Sequence, residues 1–140
     1  MTRLVVAVAV ELDRQPVFWP LLLYVRARAF AHGGRPADAR QLIDESIELS
    51  GGAGPLAPLF FALKGDLLRA LPERDGAEQW FQRGFDQSAE LNARSPQLRA
   101  AIGLCRLRPE HGRALLSTTY ATFTEGFTTP DLIEAKELLT

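Results

Sequence analysis

Self-similarity at a fixed interval constrains this chain more than any other feature. Ala27, Gly65 and Gly103 stand 38 residues apart, and Leu22, Phe60 and Leu98 keep the same register five residues before each. A second series repeats as well. Leu42, Ile43 and Ile47 map onto Trp80, Phe81 and Phe85 at the same interval, then onto Leu115, Leu116 and Tyr120 after 35 residues. One series carries a small residue where two helix backbones can approach, and the other carries a bulky apolar triplet. Repeats of this length mean stacked supersecondary units, each unable to bury its apolar face alone.

The apolar spacing within each unit is helical, and the helix ends are punctuated. Trp19-Pro20 opens a helix that Gly33-Gly34 stops, and Pro36 opens its return, which ends at Gly51-Gly52. A second pair starts at Pro55 or Pro58, turns over Leu71 to Gly76 and returns through Leu91. Ser95, as N-cap, and Pro96 begin a third, whose tighter connection at Arg108 to Gly112 accounts for the step of 35. Gly126 reads as a C-cap with Phe127 folded back, and Thr129-Pro130-Asp131 starts a last helix with one apolar side. The expectation is a single all-α helical-repeat domain over 1–140. It comprises a leftover helix at 1–15, hairpins at 19–50, 55–91 and 95–124, and a capping helix at 129–139. Leu4 to Val10 is also rich in β-branched residues, but an all-helical array leaves no sheet for a strand to join. A helix without its hairpin partner makes the chain the trimmed end of a longer array. Intervals of 38 and 35 lie closer to the 34 residues of tetratricopeptide repeats than to the longer armadillo and HEAT repeats. The predicted fold is therefore a tetratricopeptide-like right-handed superhelix of about three hairpins plus a cap.

Composition excludes several function classes. A formal net charge of −1 provides no basic field for nucleic acid or anionic lipid. Fourteen of the 16 basic residues are arginine, a bias that GC-rich coding explains as well as recognition does. The lone Cys105 sits among Ile102, Leu104 and Leu107 and builds neither a disulfide nor a zinc site. The seven apolar residues Leu4 to Val10 are too few for a bilayer span or a signal-peptide core. A cytoplasmic protein is expected, without membrane contact.

Chemistry-bearing motifs are equally sparse. The glycine clusters lack the lysine and hydroxyl of a phosphate loop, and neither His32 nor His111 has a second ligand at helical spacing. Asp44, Glu45 and Glu48 form a solvated acidic strip. No catalytic residue, cofactor site or metal site is expected, and no enzyme. The constellation with functional promise is basic. Arg26 and Lys64 hold equivalent repeat positions on outgoing helices, with Arg28, Arg69, Arg99 and Arg106 on neighbouring turns. Arg26, Lys64 and Arg99 are the expected binding residues of a concave face that holds a protein or peptide partner, an acidic one matching their charge. Pairing with Asp66 and other local carboxylates is the competing expectation. Self-association through Trp19, Phe60, Phe61 or the N-terminal helix, and small-molecule sensing within the concavity, are the alternative functions.

The run Phe123-Thr124-Glu125-Gly126-Phe127-Thr128-Thr129-Pro130-Asp131-Leu132, followed by Glu134-Ala135 and Leu138-Leu139, resembles the C-terminal helical-repeat region of large bacterial signalling regulators. Ala77-Glu78 with Phe81 and Arg83, and Gln97 to Ala101, add weaker support, so the resemblance covers about the last half of the chain. Those regulators join a cyclase-like or activator domain, an ATPase module and a tetratricopeptide-like tail, sometimes with a LuxR-type DNA-binding domain. The chain departs from them at Pro109 to Arg113, where their turn is longer. The resemblance implies a non-catalytic regulatory scaffold, and it transfers no cyclase, ATPase or DNA-binding activity.

Overall fold

The computed structural model describes residues 18–72 and 76–140, which form seven α-helices and no strand. They are α1 (Phe18–His32), α2 (Pro36–Ser50), α3 (Ala57–Ala70), α4 (Ala77–Glu90), α5 (Arg94–Leu107), α6 (Pro109–Tyr120) and α7 (Pro130–Leu139). The expected helix at 1–15 and the turn residues 73–75 lie outside the described residues.

Local chemistry explains most of the ends. Proline stands in the first turn of α2, α3, α6 and α7, where its missing N–H forfeits nothing. α2 stops at Gly51, whose φ of +68° lets its N–H and that of Gly52 return to the Glu48 and Ile47 carbonyls. Thr129 does precede α7, though its hydroxyl makes no capping bond. Two expectations move. Ser95 lies inside α5, whose N-cap is Ala93, so it caps nothing. Pro109 to Gly112 is not a turn but the first turn of α6, because a single residue, Arg108, joins α5 to α6. α6 ends at Tyr120, so Gly126 at φ +77° belongs to the loop, where Phe127 folds back onto Tyr120 with ring centroids 5.9 Å apart.

Helices pack in chain order. α1 pairs with α2, α3 with α4 and α5 with α6, and each return helix also packs on the next outgoing one. The odd-numbered helices α1, α3, α5 and α7 touch in succession, whereas α2, α4 and α6 never touch one another. The return helices bury the same three positions each time: Ala39, Ile43 and Ser46; Ala77, Phe81 and Gly84; Gly112, Leu116 and Thr119. Their spacing of three and four residues keeps one stripe against the outgoing helices. Removing a side chain such as Phe81 or Leu116 from water contributes about 1.5–3 kcal/mol each.

Phe81 also shows what the glycines do. A Cβ on Gly65 would come within 2.7 Å of its ring, and one on Gly103 would overlap the same ring. The two glycines make room for one aromatic ring, Gly65 from the same hairpin and Gly103 from the next. The intimate contact inside the third hairpin falls instead to Gly112, whose Cβ would strike the backbone of Leu104 and Cys105. The shared 38-residue register therefore does not give Gly65 and Gly103 equivalent roles: both meet α4, which is the return helix of Gly65's own hairpin but of the hairpin before that of Gly103. Leu22 departs likewise: Phe60 and Leu98 are core residues, but Leu22 is exposed on the outer side of α1.

Candidate interaction face

The face made by the odd-numbered helices carries a ladder of polar groups crossing from one hairpin to the next. Arg99 of α5 is its centre. One guanidinium nitrogen donates to Asp66 of α3 at 2.9 Å and the other to Glu134 of α7 at 3.1 Å, with Asp131 3.6 Å away. Arg106, two turns along α5, donates to the other oxygen of Glu134, its Nε at 2.8 Å. Three helices are thus tied by charge-assisted hydrogen bonds, the stronger kind. Towards α1 the ladder meets Tyr24, whose ring lies 5.5 Å from Phe60, and Arg28, whose guanidinium sits over the Tyr24 ring at 5.8 Å.

Partial burial shapes the electrostatics. Burial raises the Asp66 carboxyl above its ordinary range despite the Arg99 charge beside it, since desolvation is the larger effect there. Arg99 is held more firmly protonated: Asp66, Glu134 and Asp131 together outweigh its own desolvation. Burial likewise raises the Tyr24 hydroxyl, against the opposing pull of Arg28. Tyr24 is therefore neutral at physiological pH and available as a hydrogen-bonding aromatic platform.

The three residues expected to bind do not converge. Arg99 lies on the ladder. Lys64 projects the other way, two residues from Asp66 and so nearly opposite it around α3. Its ammonium donates to Asp44 of α2 at 2.5 Å and stands 4.3 Å from the Trp80 ring of α4. It is a link between hairpins, joined there by Arg83 over the Phe61 and Trp80 rings. Arg26 shares that register, is exposed, and likewise points away from Arg28. Asp66 is named from the sequence only as a competing partner of the basic residues, a pairing that Arg99 does make, whereas Glu134 and Tyr24 are not named there as site residues. A signal existed for the first: Arg28 and Asp66 occupy one repeat position with opposite charge, which marks a row where consecutive helices attract.

Other candidates are weaker. Phe60 and Phe61, expected to serve self-association, are 1% and 0% exposed and belong to the core. His32 ends α1 and His111 opens α6, both on the surface. Among the described residues no group of three metal-ligating side chains exists, and no helix is long and apolar enough to cross a membrane. An open groove of about 550 Å³ runs between the first turn of α5 and the loop before α7, lined by Arg94, Leu98, Phe123, Glu125, Asp131 and Leu132. Its polar and apolar groups are interspersed and converge on no single point. Comparisons with protein-family models, curated proteins and solved structures find no match to this chain.

Proposed function

We propose that this chain is a non-catalytic interaction domain: a tetratricopeptide-like array whose odd-numbered helices offer a concave face to a protein or peptide partner. One observation carries the reading. Odd helices touch in succession and even ones do not, so the odd row is the shorter, inner side of a curved stack. A right-handed superhelix is the architecture this reading assigns to such a stack. The resemblance of the last half of the chain to the tails of bacterial signalling and transcriptional regulators supplies the context, a regulatory scaffold within such a protein. An enzymatic role gains no support, since the ladder joins its charges to one another and leaves no nucleophile beside a base.

The partner fits the free chemistry of that face. Asp66 and Glu134 are already bonded to arginines, whereas Arg28 has no carboxylate partner among the described residues and stacks on Tyr24. An acidic, extended peptide would pair with Arg28 and lie across the Tyr24 ring. Selecting peptides from a random displayed library on the full chain should enrich acidic sequences. A selected peptide should then bind Arg28→Glu at least about tenfold more weakly, roughly 1.4 kcal/mol, and bind Ser117→Glu, on an even helix, unchanged. Peptides without acidic bias, or equal affinity for Arg28→Glu, would contradict the reading.

A further inference from the structure

The open groove between the first turn of α5 and the loop before α7 has an apolar floor. Leu98 and Leu132 are 2% and 3% exposed there, and half-buried Phe123 joins them, so about 550 Å³ of space stands over large apolar side chains. Its carboxylates keep bonding capacity. Glu125 is exposed and bonded to nothing among the described residues, and Asp131 stands 3.6 Å from Arg99, too far for a direct hydrogen bond. The lining cation is engaged elsewhere. Arg94 donates to the Thr122 carbonyl at 3.4 Å, just past the end of α6, where an arginine satisfies a carbonyl that the helix leaves free. Just before Arg94 in the chain, Glu90 and Leu91 are both exposed and add a further carboxylate next to a further apolar side chain.

We propose that this groove holds an extended, basic segment of a partner protein. One large apolar side chain of the segment sits over Leu98, Phe123 and Leu132, and a lysine or arginine beside it reaches Glu125 and Asp131. The polar groups are spread along the groove and do not surround one point, which suits an extended chain whose successive side chains meet different surroundings. The loop wall can also bond to such a chain. The backbone N–H groups of Thr124, Glu125, Gly126, Phe127 and Thr128 donate to nothing among the described residues, so the carbonyls of a segment running alongside can accept from them. Charge sets the sign of the occupant. Glu125 and Asp131 face a single engaged arginine across the groove, so a basic segment is attracted and an acidic one repelled. This groove lies at the α7 end of the stack, whereas Arg28 and Tyr24 belong to α1, so the two partner sites are separate.

A random displayed peptide library selected on the full-length Arg28→Glu chain, which lacks the cation of the other site, tests the proposal. Enriched peptides should combine a large apolar residue with lysine or arginine. In nuclear magnetic resonance titrations they should move the Leu98 and Leu132 methyls and the amides of Thr124 to Thr128. Glu125→Lys should weaken their binding about fivefold or more. Glu45→Lys makes the same change of net charge on the exposed side of α2 and should leave binding unaltered. Peptides that move the groove signals without a basic excess, a selection that yields none that move them, or equal weakening by both variants would overturn the proposal. Groove signals that move with chain concentration alone would assign the groove to a second copy and overturn it too.

Discussion

Arg99 and Asp66 are bonded to each other, but they do not carry equal weight. Asp66 loses more by burial than Arg99 returns to it, so its carboxyl sits above the ordinary value of 3.8. A carboxyl raised on folding stabilises the fold when protonated. That contribution is complete below 3.8 and disappears as pH rises through the folded value. At neutral pH the anion is therefore a net cost, kept tolerable by Arg99. Replacing Arg99 by alanine strands that charge and should cost about 1–3 kcal/mol at pH 7 in urea titrations. The loss should shrink as pH falls through the raised folded value, where Asp66 takes up a proton. Asp66→Asn should change stability by under about 1 kcal/mol at pH 7, because Arg99 keeps Glu134 and Asp131. Equal losses for the two variants, or a loss for Arg99→Ala that does not change with pH, would contradict this ordering.

At the scale of the helix, α7 closes the stack. Leu132 and Ala135 join Leu98, Ile102, Cys105 and Leu116 in one core, Glu134 holds Arg99 and Arg106, and Arg113 of α6 donates to the Leu139 carbonyl at 2.8 Å. A terminal helix covering the last hairpin is what a stack of this kind needs, and the exposed side of α7 carries Lys136 and Glu137 together with Ile133. Leu132→Ala should cost about 2–4 kcal/mol, and local opening of α7 should expose the buried Cys105. Modification of Cys105 by a thiol reagent should then accelerate by an order of magnitude or more; an unchanged rate would mean that α7 does not cover the thiol. α7 was also the element most legible in the sequence, because its boundary signals are local: threonine before it, proline at its start, an apolar side after. The prolines carry a second signal. Pro20, Pro58 and Pro96 stand 38 residues apart, two of them buried, and fix the outgoing register better than the small residues do. What could not be read was which side of each helix a position faces. Gly103 is in register with Gly65, but the third hairpin is joined by the single residue Arg108, and the close contact within it falls to Gly112, which the register of Gly65 and Gly103 does not mark. Lys64 was misplaced for the same reason: its neighbours Asp44 and Trp80 come from two other helices, so no local pattern announces them.

For the whole molecule, one asymmetry organises everything else. The odd helices form a connected row and the even helices do not, so neighbouring hairpins are splayed on the even side. The ladder from Arg28 to Glu134 runs along the connected row, and the core clusters lie between the two rows. The proposed interaction across the odd face, the capping by α7 and the exposed apolar side of α1 are all arranged along the one direction of stacking. Paired nitroxide labels measure this most directly. One pair at Arg28 and Arg106 spans the odd row from the first hairpin to the third, and a second pair at Glu45 and Thr118 spans the even row over the same two steps; buried Cys105 does not compete for label. Double electron–electron resonance should give a longer distance for the even pair than for the odd pair. Equal distances, or a longer odd pair, would contradict a curved stack with its docking face on the odd helices.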